Sequence, residues 1–214
     1  MIDPKTAAFV LIDMQHGFVD LSSSLCVAGA AATVPACARA LDRARELDMP
    51  VFHAIRAYAA DGSDVEACRR AVWSDGGRPL SSAYADERSL EEMEPLAPQG
   101  NDRVIVKPRF SAFFGTSLDL VLRRMGVGTV VLAGTTTPNC IRTTCYDALS
   151  LDYNVVILED CTSSRTPEVQ QANIEDMRHI GAHIMSCAEF CADGLTHVAD
   201  MASAAREFYR EHQR

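Results

Sequence analysis

The chain has 214 residues, 48% of them hydrophobic and 23% charged, with a formal net charge of −9 and a pI near 5.1. That acidic balance argues against nucleic acid or an anionic membrane as the main partner, since both reward basic patches. No long uninterrupted apolar run is present, and MIDPKTAAFV lacks the basic start and apolar core of a signal peptide, so neither a spanning helix nor export is expected and the expected location is cytoplasmic.

The length suits one domain over residues 1–214 with a substantial core. Eight cysteines are spread along the chain, none in a CxxC pair and none with histidines at a zinc spacing. A chain of this size and apolarity does not need disulfide staples, so most read as reduced core thiols.

In chain order, Ala7–Asp13 (AAFVLID) reads as a buried parallel strand that ends in an acid. A small, polar loop follows. Thr33 and Pro35 look like the N-cap and first-turn proline of a helix running to about Asp48. Val51–Arg56 (VFHAIR) is the second strand, with His53 inside its apolar run as a core or pocket-lining residue. Residues 57–100 are irregular, with a helical patch over Asp64–Trp73. A connection this long is usually functional in a compact domain, and it reads as a cap over the site. Arg56, Tyr58, Arg69, Trp73 and Tyr84 are its candidate substrate contacts; each alone reads more readily as surface or packing, and the group stands as a specificity region. Trp73 also suits a subunit interface.

Arg103–Lys107 (RVIVK) is the third strand, ending in a lysine. The turn RFSAFFGT follows, where Phe110, Phe113 and Phe114 can form an apolar wall and Thr116 can cap the helix that stops at Gly126. Thr129–Gly134 is the fourth strand, then TTTPNC and a helix to about Leu151. Tyr153–Leu158 is the fifth strand, and Thr166-Pro167 opens a helix ending at Gly181. His183–Ser186 is the sixth strand, and the rest is helical. His179 and His183 have a metal-pair spacing, but Gly181 breaks the helix between them, so no metal site is expected.

Alternating strands and helices imply a parallel α/β sheet with helices on both faces. No GxGxxG follows the first strand, which leaves a dinucleotide site without its phosphate cradle. The most informative stretch is VVLAGTTTPNC, residues 130–140, where strand, threonine-rich turn and helix start make a βα corner. A cysteine at a helix N-terminus sits at the positive end of the macrodipole, a setting that lowers a thiol pKa and favours the nucleophilic thiolate. The competing reading of Cys140 is a buried structural thiol.

AGTTTPNC at 133–140, with FVLIDMQHGF at 9–18 and VIVKPRFSAFFGTSLDLVLRRMGV at 104–127, resembles the isochorismatase-like cysteine hydrolases, three motifs in order over most of the chain. The resemblance implies a three-layer, Rossmann-like six-stranded sheet of order 3-2-1-4-5-6 and a catalytic triad of Asp13, Lys107 and Cys140. It also implies a cis peptide at Thr135–Thr136, an oxyanion hole from the N–H groups of Thr136 and Cys140, and an aromatic pocket residue at Phe18. Arg56, Trp73, Phe110 and Phe113 complete the candidate substrate contacts. No cofactor is implied, and the family's habit is a homodimer or homotetramer. The metal-binding Asp-x-His of nicotinamidases is absent after the second strand, where IRAYAADGSD stands. The expected substrate is a small amide or ureido compound. The alternatives are vinyl-ether hydrolysis of the isochorismatase type and a non-catalytic, ligand-binding or redox-sensing role.

Overall fold

The structure, a computed structural model, describes residues 2–81 and 87–213; Tyr84 of the cap lies outside them. The strands are β1 (Ala7–Ile12), β2 (Val51–Ile55), β3 (Arg103–Val106), β4 (Thr129–Thr135), β5 (Asn154–Ser163) and β6 (His183–Met185). The helices are α1 (His16–Val19), α2 (Ala30–Glu46), α3 (Arg70–Asp75), α4 (Leu118–Arg124), α5 (Arg142–Ser150), α6 (Pro167–His179), α7 (Cys187–Asp193) and α8 (Met201–His212). All strand pairs are parallel, in the order β3-β2-β1-β4-β5-β6. The expected sheet is therefore the observed one.

Helices cover both faces, which is why the central strands β1 and β4 are buried at every position. On one face Phe9, Leu11, Val131 and Val156 meet Cys37, Leu41 and Ala44 of α2 and Phe190 of α7. On the other, Val10, Ile12, Val130 and Ile157 meet Leu118 and Leu122 of α4, Cys145 and Ala148 of α5, and Ile174 and Met177 of α6. Each fully buried Val, Leu or Ile side chain contributes roughly 1.5–3 kcal/mol through this burial.

Several boundaries differ from the sequence reading. Helix α2 starts at Ala30, so Thr33 and Pro35 lie within it and not at its cap. Pro35 is interior to the helix, so its missing N–H removes the bond to the Ala31 carbonyl. The Thr33 hydroxyl donates back to the Ala30 carbonyl at 2.8 Å. Strand β5 runs on to Ser163: its pairing with β4 slips after Ile157 and resumes at Thr162 and Ser163, opposite Gly134 and Thr135. EDCTSS looked like a loop because the polar residues that restore this pairing carry no apolar alternation. In the cap, α3 is shorter than the patch expected over Asp64–Trp73, because Asp64 accepts the Ala59 N–H at 2.8 Å and holds a turn there.

The cap has a small core of its own, Phe18, Tyr58, Val65, Trp73 and Leu80. Gln15 ties the cap to the sheet. Its Nε2 donates to the Arg56 and Leu90 carbonyls, both at 2.8 Å, and its Oε1 accepts the Arg56 N–H at 2.7 Å. These bonds fix the carboxyl ends of β1 and β2 against the returning chain. No helix among the described residues is long and apolar enough to cross a membrane.

Candidate active site

Asp13, Lys107 and Cys140 each stand just past the carboxyl end of a strand. Asp13 follows β1 with φ 52°, a left-handed conformation that aspartate tolerates better than most residues. Its N–H donates to the Ala54 carbonyl at 2.9 Å, and the Lys107 N–H donates to the Ile55 carbonyl at 2.9 Å. Both backbones are thus anchored on β2. Cys140 lies in a π-helical turn, Thr137–Ile141, that leads into α5.

Gly134 decides how closely the cysteine loop approaches. Its φ is 113°, and a Cβ there would run into the backbone of Ile12. The end of β4 therefore presses directly on the end of β1, one residue before Asp13. The Thr135–Thr136 peptide that follows is cis. The three threonines are tied to the end of β5: Thr135 and Ser163 hydroxyls meet at 2.9 Å, and Thr136 and Thr137 hydroxyls donate to the Ser163 carbonyl at 3.1 and 3.0 Å.

The result is a tight convergence. Lys107 Nζ stands 2.7 Å from Asp13 Oδ2, 3.6 Å from Cys140 Sγ and 3.3 Å from the Arg109 carbonyl. All three side chains are buried, each no more than 1% exposed. Burial pushes the Cys140 thiol pKa up and Asp13 adds to the rise, while Lys107 and Arg56 oppose it; the net direction is upward. Desolvation thus works against the thiolate that a helix N-terminus would favour. The sulfur, the Asp13 carboxyl and the Lys107 amine share one buried cluster.

The structure separates the five candidate substrate contacts. Phe18 and Phe110 flank the guanidinium of Arg69, with ring centroids 5.7 and 4.9 Å from it. Trp73 is interior to the cap: its Nε1 donates to the Pro79 carbonyl at 2.8 Å and its ring meets Tyr58 edge-on, so it does not offer an interface to a partner. Phe113 packs on Tyr153 and the core beneath α4, while Phe114 is exposed. Arg56 is fully buried, with Nη1 2.7 Å from Glu66 Oε1, and the Tyr58 hydroxyl donates to Glu66 Oε2 at 2.7 Å. Desolvation pushes the Glu66 carboxyl up, but Arg56 and the Tyr58 hydrogen bond hold it below its ordinary range.

A cavity of about 220 Å³ opens beside the nucleophile loop, lined by Thr136, Pro138 and Asn139, by Arg69 of the cap, and by Cys26, Val27, Ser164 and Arg165. His53, read as a core or pocket-lining residue, lies away from this cavity, between Glu92 at 2.7 Å and Asp102 at 3.2 Å. Glu66, Gln15 and Ser163 were invisible as site-builders in the sequence, since each partner is distant or of an unremarkable type. Among the described residues, no group of three or more His, Cys, Asp or Glu is placed to hold a metal ion.

The chain has known relatives. The isochorismatase domain model matches residues 7–189. An isochorismatase family protein from Desulfovibrio vulgaris has a solved structure that superposes with a TM-score of 0.81 at 43% identity, covering 86% of this chain and 96% of that one. A protein of Arabidopsis thaliana named as a probable inactive nicotinamidase is 37% identical over 83% of this chain and 90% of its own length. The maleamate amidohydrolase of Pseudomonas putida is 32% identical over 81% of this chain and 79% of its own. The chain belongs to the isochorismatase family.

Proposed function

We propose that this protein is a cysteine amidohydrolase that cleaves the C–N bond of a small amide or ureido substrate through Cys140. The observation that carries this reading is the lysine held between the carboxylate and the sulfur, 2.7 Å from Asp13 and 3.6 Å from Cys140. Amidohydrolases among its relatives support the reaction class. One relative is named as inactive, but this chain has the three side chains the chemistry needs.

The steps follow from the convergence of the three side chains. Asp13 takes the thiol proton, and Lys107 stabilises the thiolate as it forms. The sulfur attacks the substrate carbonyl, and the N–H groups of Thr136 and Cys140 donate to the oxyanion. Asp13 then gives its proton to the departing nitrogen, and ammonia or an amine leaves a thioester on Cys140. A water loses a proton to Asp13 and attacks the thioester. The acid is released and Asp13 returns the proton to sulfur. The burial of Cys140 suits oxidant sensing less, since sensor cysteines are accessible.

The test is ammonia release across small amides and ureido compounds, beside Cys140→Ala and Cys140→Ser. Release that disappears in both folded variants supports the reading. Release at the unchanged rate in the alanine variant sinks it, and cleavage confined to vinyl ethers replaces it with the isochorismatase-type reaction.

A further inference from the structure

The cap brings two arginines to the same aromatic slot, and they differ in one respect. Arg56 is neutralised by Glu66, whose second oxygen is occupied by the Tyr58 hydroxyl. Arg69 makes no ion pair within 4 Å among the described residues; the Tyr58 hydroxyl and Glu66 lie near it, but its Nη1 is buried without a hydrogen-bond partner. It lines the cavity that adjoins Thr136, Pro138 and Asn139, and among the described residues no aspartate or glutamate lines that cavity. The remaining cation there, Arg165, is exposed, so solvent and salt screen its charge.

A buried N–H donor without a partner is costly, and proteins keep such groups where something fills the gap. Phe18 and Phe110 flank the Arg69 guanidinium, and its unpartnered Nη1 is left to donate to an acceptor oxygen such as a carboxylate's. We propose that Arg69 reads a carboxylate on the substrate, so that the compound cleaved is a small half-amide or ureido acid and not a neutral amide. This rests on the amidohydrolase reading above. Arg69 is a specificity residue; the bond-breaking steps proceed without it.

Binding and turnover separate the two ideas. Calorimetry on Cys140→Ala measures the affinity for malonamate, maleamate and succinamate, each beside a neutral isostere in which a methyl ketone replaces the carboxylate. The expected result is at least tenfold tighter binding of the charged member of one or more pairs. That preference disappears in Cys140→Ala/Arg69→Gln and is partly kept in Cys140→Ala/Arg69→Lys. Equal affinities in every pair overturn the assignment. So does an Arg69→Gln variant that weakens both members alike, the mark of a merely structural role. Ammonia release by the wild-type protein is measured on the same compounds. Charge-selective binding without any release supports the anion site and overturns the amidohydrolase reading. Release that ignores charge does the reverse.

Discussion

Lys107 and His53 are both fully buried, stand on or just past neighbouring strands, and are each held by acidic side chains, yet their surroundings differ. His53 is enclosed by Glu92 and Asp102, and Asp102 is in turn clamped by Arg45 at 2.6 Å. Each side chain in that cluster faces an ionisable partner. Lys107 shares its position with one carboxylate and one sulfur, and the sulfur's loop borders a cavity. Buried charges closed on one another serve the fold. A buried cation whose second neighbour is a nucleophile can serve chemistry.

The largest expected break in this contrast is Cys140→Ala, which removes turnover while leaving the melting temperature within a few degrees of wild type. Asp13→Asn comes next. It should cost roughly 10²–10⁴-fold in kcat, the usual range for a lost general acid–base. The same variant should speed iodoacetamide labelling of Cys140 at neutral pH, because Asp13 is one of the groups that raise the thiol pKa. Slower labelling would contradict the electrostatic account. Mass spectrometry must separate this site from the exposed Cys68.

Lys107→Met strands the Asp13 carboxylate in the interior, and loss of one partner from a buried pair costs about 3–5 kcal/mol in addition to activity. Asp102→Asn tests the other region. It should lower stability by about 1–3 kcal/mol with kcat within twofold of wild type. Burial raises the Asp102 pKa, but hydrogen bonds from Arg45, the Gln99 N–H and His53 more than offset that, so the folded pKa lies below the unfolded value. Its contribution is therefore fully present above an unfolded pKa of about 4 and is lost as pH falls through the folded value. Denaturant titrations from pH 7 to pH 3 should show this acid loss in the wild type and less of it in Asp102→Asn. The smallest effect belongs to Glu92→Gln. Burial pushes that carboxyl up, and His53 only partly opposes it, so its ionised form is already disfavoured by the fold. A large loss of stability at pH 7 in this variant would break the distinction between the two carboxylates.

The sheet was legible because buried parallel strands are short apolar runs between helical patterns, and that signal survives without tertiary context. Boundaries were less so. Ser163 rejoins the sheet through hydroxyl and backbone bonds that apolar periodicity does not report. In the site, the residue types at strand ends were legible as chemistry, and Asp13, Lys107 and Cys140 stood out through their motifs. The five substrate contacts were not separable, since an arginine, a tryptophan or a phenylalanine looks the same in sequence whether it faces a cavity or a core.

The sequence by itself determined the parallel α/β sheet, its order through the family resemblance, and the identity of the three side chains at its carboxyl edge. Only the tertiary structure decided three further things. Gly134 lets β4 close on Ile12, Glu66 pairs with Arg56 and, among the described residues, leaves Arg69 without an ion pair within 4 Å, and burial pushes the Cys140 thiol pKa up. The physical reason is common to all three. Strand pattern is a local property of the chain, whereas close approach, charge pairing and desolvation depend on which distant segments share the same few ångströms.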